Sequence, residues 1–461
     1  MTIEAVKPRP VGASRHRARV FATVALLGAA TLAWTHTKLI GSIPGADATI
    51  DASPRVVLLT FSEDAEPRLT TVRIARAGGD TIALTGVRAT NQPAHSIVAD
   101  VPAALADGSY VVIWETAGDD GHPVRGAFGF TIAAHNGAPA PPARVDTAAT
   151  TNADERTQSP FAVAIRWVAF AALLLIVGVA AYGNLVVRRL RRSSVASADA
   201  LRGAEASAAR VGVLAATLWI AMGICRFAAE LDAFPGAHAA DVAFRTTWGR
   251  AWSAGLVLAA ASAVVLMVLR AKYRAGAPAA RAWSTAGVLV ALLAFTPALG
   301  GHAVAGPLAP LAVAADGFHI IGAGVWLGSL AVVILAGVPA AFAQRGRDGE
   351  AVVADLVNAF SPTALTGASI LVTTGLFAAC VQVGSVAALT HTSYGEMLIL
   401  KLVFVGMTAA VGALNWRRIR RRLGAPGKAD LLRRSVKFEL MFAAGVLLVT
   451  AVLVGLAPGR M

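Results

Sequence analysis

The sequence predicts a small β-sandwich outside a membrane, tethered to an all-α domain of about eight transmembrane helices. Three observations carry that prediction. The chain of 461 residues is 56% hydrophobic and only 15% charged, with a mean hydropathy of +0.63. This is too apolar for an ordinary soluble fold. The apolar residues after Phe161 come in blocks long enough to cross a bilayer as helices. The stretch before them alternates apolar and polar residues at strand period instead.

The N-terminal 1–35 segment reads as a signal peptide or an N-terminal anchor. It has a basic start (Lys7, Arg9, Arg15, Arg17, Arg19) and an apolar run from Val20 to Trp34 that is short for a span. Small residues are only partly in place for cleavage, with Ala33 and Thr35 flanking Trp34. Cleaved or retained, the segment sends the next domain across the membrane.

Residues 36–133 alternate in Val72 and Ile74 against Arg73, in Tyr110, Val112 and Trp114 against Glu115, and in Phe128, Phe130 and Ile132 against Gly129 and Thr131. Turn residues such as Ala77-Gly78-Gly79-Asp80 separate the runs. Short strands over about a hundred residues are expected to form a β-sandwich. Residues 134–159, rich in Pro, Thr and Asn, lack the apolar surface to fold and read as a flexible linker.

The remainder, 160–461, contains eight apolar blocks, near 161–187, 207–230, 248–269, 283–300, 311–335, 360–383, 396–415 and 438–457. If the sandwich is outside, the inner loops hold Arg188, Arg189, Arg191 and Arg192, then Arg270, Lys272, Arg274 and Arg281, then Arg345 and Arg347. The last inner loop runs from Arg417 to Arg434 with eight basic residues. The outer loops hold almost none beyond Arg245. That asymmetry orients the chain with the sandwich on the extracytoplasmic (periplasmic) side of the cell's inner membrane. It also accounts for the net charge of +14 and excludes nucleic acid as its reason. Cys225 and Cys380, the two cysteines, both lie in apolar blocks and indicate no disulfide framework.

Two groups of residues carry candidate chemistry. Asp120 and His122 are two apart beside a predicted strand, so both side chains can close on one ion, with Gly121 allowing a tight approach. Alone, Asp-Gly is equally ordinary turn chemistry, and the pair gains weight from His36 at or near a new N-terminus. In the helical part His302 ends the fourth block, Asp316 and His319 lie three apart at the start of the fifth, and His391 precedes the seventh. Intramembrane ionisable residues are costly and mark functional sites, though a buried hydrogen-bonded pair is the plainer alternative. Met222, Cys225, Cys380 and Met397 lie toward the same outer ends and read first as packing residues. Arg250, Lys401 and Glu439 read as partners or interface anchors, and His95 as a surface-loop residue. No catalytic triad, nucleotide-binding loop or zinc-hydrolase motif is present, so no enzyme is expected.

The chain resembles two copper-resistance families. His36-Thr37-Lys38-Leu39-Ile40 with Ser42 and Pro44, Leu59-Thr60-Phe61-Ser62-Glu63, and Asp120-Gly121-His122-Pro123-Val124 with Gly126 and Phe128 are similar to the CopC copper-binding domain, a Greek-key sandwich. The helical part resembles the CopD family through Thr247-Trp248-Gly249-Arg250-Ala251-Trp252, Gly301-His302-Ala303, Asp316 with His319, and Trp326-Leu327-Gly328. Phe360-Ser361-Pro362, Thr374-Gly375, Tyr394-Gly395, Lys401, Asn415 and Glu439 extend that resemblance.

The resemblance implies a Cu(II) site of His36, through its ring and a freed α-amino group, with Asp120 and His122. Such a nitrogen-rich set with one carboxylate suits Cu(II). The chain has no Met between Met1 and Met222, so the methionine-rich Cu(I) site of some CopC domains is absent. A second, membrane copper site is expected from His302, Asp316 and His319. The implied function is copper transport, with uptake favoured, or copper homeostasis and resistance. The implied partners are copper ions, the lipid bilayer and other copper-handling proteins. The alternative is a haem-bearing electron-transfer protein or metal reductase, for which His302 and His319 are the placed ligands and one haem the limit.

Overall fold

The protein is described from a computed structural model covering residues 37–76, 81–117, 123–133, 159–192, 198–234, 237–277, 279–304, 308–343, 349–383, 386–419 and 428–456. The predicted signal segment and nearly all of the predicted linker lie outside these residues. Ser159, assigned to the linker, instead caps the first helix, its hydroxyl accepting the Ala162 N–H at 3.1 Å.

Two sheets form the sandwich. One is ordered β1 (Leu39–Ile43), β3 (Val56–Phe61), β7 (Ser96–Asp100), β6 (Thr85–Thr90). The other is ordered β2 (Thr49–Ile50), β9 (Pro123–Ile132), β8 (Gly108–Ala117), β4 (Thr71–Arg76), β5 (Thr81–Ala83). Pairing is antiparallel except between β2 and β9. The expected alternation is seen: Val57, Leu59 and Phe61 from one sheet meet Val72, Ile74, Tyr110, Val112, Trp114, Phe128 and Phe130 from the other in a single core.

Glu115 departs from that alternation. It is buried rather than solvent-facing, because Arg125, its partner across the β8–β9 ladder, folds over it in an ion pair. A buried carboxylate is tolerated only with such a partner. Gly126 faces Trp114, and a Cβ there would lie 2.3 Å from the indole ring. Gly126→Val should therefore displace Trp114, which packs edge-on against Phe61 at 5.2 Å. A loss of at least about 2 kcal/mol in sandwich stability is expected from this overpacking, read as an early thermal transition in Trp fluorescence.

Among the described residues eight helices are long and apolar enough to cross a membrane: α1 (Pro160–Arg192), α2 (Leu201–Asp232), α3 (Thr247–Arg274), α4 (Ala280–Leu299), α5 (Ala309–Phe342), α6 (Gly349–Val381), α7 (Ser393–Arg417) and α8 (Leu431–Leu453). The count matches the sequence expectation, and several helices run beyond their apolar blocks. Helical backbone satisfies its own hydrogen bonds, so charged residues such as Arg188–Arg192 extend a helix instead of ending it. The last helix starts earlier than its apolar block, at Leu431, and Glu439 lies inside it as the block already implied.

The helices α1 and α5 are the most buried of the eight, and glycine is the reason. A Cβ on Gly328 would lie 1.9 Å from the Leu174 carbonyl oxygen, and one on Gly178 would lie 2.1 Å from the Gly328 carbonyl carbon. The two backbones therefore touch, as small residues permit between helices in lipid. Elsewhere on α5, Gly322 and Gly367 also bring α6 close, with a Cβ on Gly367 2.7 Å from the Trp326 nitrogen. The helix α5 is wound as a π-helix at Gly324–Gly328 and Val333–Gly337, as is α1 at Tyr182–Val187.

Polar ties close the end of the bundle far from α1's N-terminus. Arg191 pairs with the buried Glu205, Arg189 donates to the Thr363 hydroxyl at 2.6 Å, and Asn184 donates to the Trp283 carbonyl at 2.8 Å. Glu439 is buried and accepts from the Asn415 amide at 2.8 Å, while Asn415 in turn accepts from the Ser435 hydroxyl. Its role is that of a structural partner linking α7 to α8.

Candidate copper sites

His36, Asp120 and His122 fall outside the described residues, but their flanks are in place. Ala117 and Pro123 pair across the β8–β9 ladder, and Asp120 and His122 come between them in sequence. Thr37 comes directly after His36. Its hydroxyl bonds to the Glu63 carboxylate, and Lys38 exchanges hydrogen bonds of 2.9 Å with Ser62 in both directions. Three residues on, the Glu66 N–H donates to the Ala117 carbonyl at 3.1 Å. The short segment 62–66 therefore holds the start of the sandwich and the end of β8 at the same edge. His95, read as a surface residue, is exposed and bonds Asp64 at 2.6 Å.

In the membrane domain Asp316 and His319 are both half-buried on α5, one helical turn apart. Asp316 lines a small cavity with Ala303, Ala312, Ala315, Phe377, Ala378 and Val381. Its ionisable neighbours are Lys401 and Tyr394, both on α7. His319 Nδ1 lies 3.1 Å from the Thr374 hydroxyl on α6, and a Cβ on Gly375 would come within 3.1 Å of the imidazole. Thr374 and Gly375 thus hold the ring against α6. Sequence reading singles out Thr374, Gly375, Tyr394 and Lys401 without assigning them to these two residues. Their contacts cross between helices and have no local signature.

His302 opens the short 3-10 turn His302–Val304 between α4 and α5, with its side chain outside the described residues. Among the described residues no three His, Cys, Asp or Glu side chains stand together as a metal group. Cys380 and His391 are exposed, Cys225 and Met397 partly buried. Arg250 is exposed at the start of α3 and bonds Thr247 at 3.3 Å, as an interface anchor would.

The sandwich does not hang free of the helices. Leu69, on the turn Pro67–Leu69, and Ala117 join Phe234, Val242 and Trp248 in one buried apolar cluster, with Phe227, Leu231, Ala237 and Trp252 packed around it. Arg68 lies 3.7 Å from Asp241 across the same contact. Val242 and Asp241 belong to the short helix Ala239–Arg245, which joins α2 to α3.

A β-sandwich seated on a multi-pass helical membrane domain defines the class. The comparisons with known proteins then place its parts. Residues 39–133 match the CopC domain, 157–309 the copper resistance protein D-like N-terminal domain, and 354–453 copper resistance protein D. Along the chain the matches run as a CopC domain followed by CopD-related domains, which supports copper handling.

It is 23% identical over 436 residues to "Copper transport protein CutJ" of Bacillus subtilis (strain 168), spanning 92% of this chain and 74% of that protein. It is 28% identical over 123 residues to "Copper resistance protein C" of Xanthomonas campestris pv. juglandis, covering 25% of this chain and 96% of that one. Among solved structures, CopC from Methylosinus trichosporium OB3b is 32% identical over 22% of this chain and 96% of its own, with a TM-score of 0.20.

Proposed function

We propose that the sandwich captures Cu(II) on the extracytoplasmic side of the inner membrane, through His36, Asp120 and His122, and that the helical domain takes up the copper and moves it inward. The observation that carries this reading is the tie made by residues 62–66. It brings Thr37, the neighbour of His36, and Ala117, three residues before Asp120, to one edge, which supports a site shared by His36, Asp120 and His122. Copper is the cargo in this reading. Nitrogen donors with one carboxylate favour Cu(II) among divalent ions.

The acceptor in the helices is His302 with Asp316 and His319. Asp316 lies about 10 Å along α5 from Ala309, on the sandwich side of the bundle. Cells expressing the intact protein should accumulate at least threefold more copper than cells expressing the His302→Ala, His319→Ala double variant at equal membrane levels. Equal accumulation, with the sandwich still loading copper, would instead make the protein a membrane-anchored copper buffer. The haem-bearing reductase alternative uses the same two histidines, and a Soret band in the purified protein would select it.

A further inference from the structure

We propose that the cavity between α1, α2, α3 and α4, at the end of the bundle that carries the sandwich, binds a phosphate group through the Arg226 guanidinium. The site is independent of the copper sites proposed above. Three observations carry it.

The first is the cavity itself. It holds about 60 Å³, and its walls include Arg226, Trp219, Trp248, Trp252, Thr296 and Gly300. One water needs about 10–15 Å³, so there is room for a tetrahedral oxyanion. The walls are fixed. The Trp252 indole N–H donates to the Gly223 carbonyl at 2.9 Å, and its ring stacks on Phe227 at 4.3 Å. A Cβ on Gly255 would lie 2.7 Å from Trp219 and 3.0 Å from the Thr296 hydroxyl, so glycine sets where both of those residues stand.

The second is charge. The Arg226 guanidinium lies 5.8 Å from the centre of the Trp248 ring, a contact that holds the cation without supplying a counter-charge. Its ionisable neighbours are Glu230, one turn further along α2, and Arg166, buried on α1. Among the described residues these three are the charged side chains of α1–α4 at this end that are not exposed, so cations exceed carboxylates by one. Excess charge within a span is costly, and a bound anion lowers that cost. The same excess repels copper, so the cavity is no further metal site.

The third is the supply of donors. The Thr296 hydroxyl donates to the Leu293 carbonyl at 2.9 Å, the acceptor that Pro297 leaves without an N–H partner. The Trp252 N–H is likewise spent. Arg226 makes no hydrogen bond to another described residue, so its N–H groups serve the cavity that it lines. A planar guanidinium fork matches two phosphate oxygens at once. A lipid headgroup and the free ion share that chemistry.

The experiment uses the full chain in dodecyl maltoside, stripped of lipid and titrated with inorganic phosphate or with dioctanoyl phosphatidylglycerol. Three of the nine tryptophans line the cavity, so binding should shift the Trp emission saturably. Arg226→Gln should abolish the shift. Arg226→Lys keeps the charge but loses the fork, and should raise Kd at least tenfold; it decides the matter if the Gln variant does not fold. Arg250→Gln, which removes an exposed charge at the same end of the bundle, should leave Kd unchanged. Saturation by inorganic phosphate assigns the site to the free ion, and saturation by the lipid alone assigns it to a headgroup. No saturable shift with either, an unchanged Kd in Arg226→Lys, or an equal loss in Arg250→Gln would overturn the site.

Discussion

His122→Ala is expected to abolish the tetragonal Cu(II) signal of the protein and weaken Cu(II) binding at least a hundredfold. At a site with three protein residues, one imidazole is a large share of the ligand field. A tenfold change in affinity corresponds to about 1.4 kcal/mol, so the loss amounts to about 3 kcal/mol. Asp120→Asn should be milder, since the amide oxygen still reaches the ion without its charge. Adding one residue ahead of His36 tests the amine: it weakens binding if the α-amino group is a ligand and leaves it unchanged if the ring alone is. Unchanged affinity in His122→Ala, measured by competition with a copper chelator, would reject the site.

The second large effect is Gly328→Leu. Any side chain at this position must enter the space of the Leu174 carbonyl, with a Cβ 1.9 Å from its oxygen and 2.8 Å from its carbon. No rotamer avoids a clash made by the Cβ itself, so α1 and α5 must separate. The cost should exceed the upper end of about 1–3 kcal/mol seen for overpacking in general. The expected result is loss of monodisperse protein in detergent and loss of copper accumulation. Leu365→Ala is the control, because Leu365 is an exposed residue of α6 and should change neither.

Much of this architecture can be read from the sequence, for physical reasons that name their own limits. Strand alternation and span-length apolar blocks are local signals, so the sandwich and the eight helices are read directly from them. Glu115 breaks the alternation because Arg125, ten residues away, neutralises it from the neighbouring strand, and a period-based reading is blind to the pair. The contact made by Leu69, Ala117, Phe234, Val242 and Trp248 is invisible for a different reason. Each is an apolar residue that looks like ordinary core, and the two sides are more than a hundred residues apart. The same holds for Thr374 and Lys401. Their proximity to His319 and Asp316 depends on how α5, α6 and α7 meet, which the order of the blocks does not encode. Asp316 and His319 themselves are legible, because ionisable residues within a span are rare enough to stand out.

The backbone contact between α1 and α5 bears on how the protein could alternate between two shapes. Sliding is closed to it: Gly324 and Gly328 fit against Val177, Leu174 and Gly178 at single positions, and a shift by one residue would press side chains into backbone. With Gly178, Gly324 and Gly328 at the crossing, few side-chain rotamers are there to exchange. Such a crossing does permit pivoting, like the two blades of a pair of scissors. The helices that receive the sandwich, α2 and α3, hang on one blade, and those that face Asp316 and His319, α6 and α7, lie beside the other. A small opening angle at the pivot grows with distance from it, so the widest displacement would fall at the helix ends, where the sandwich sits.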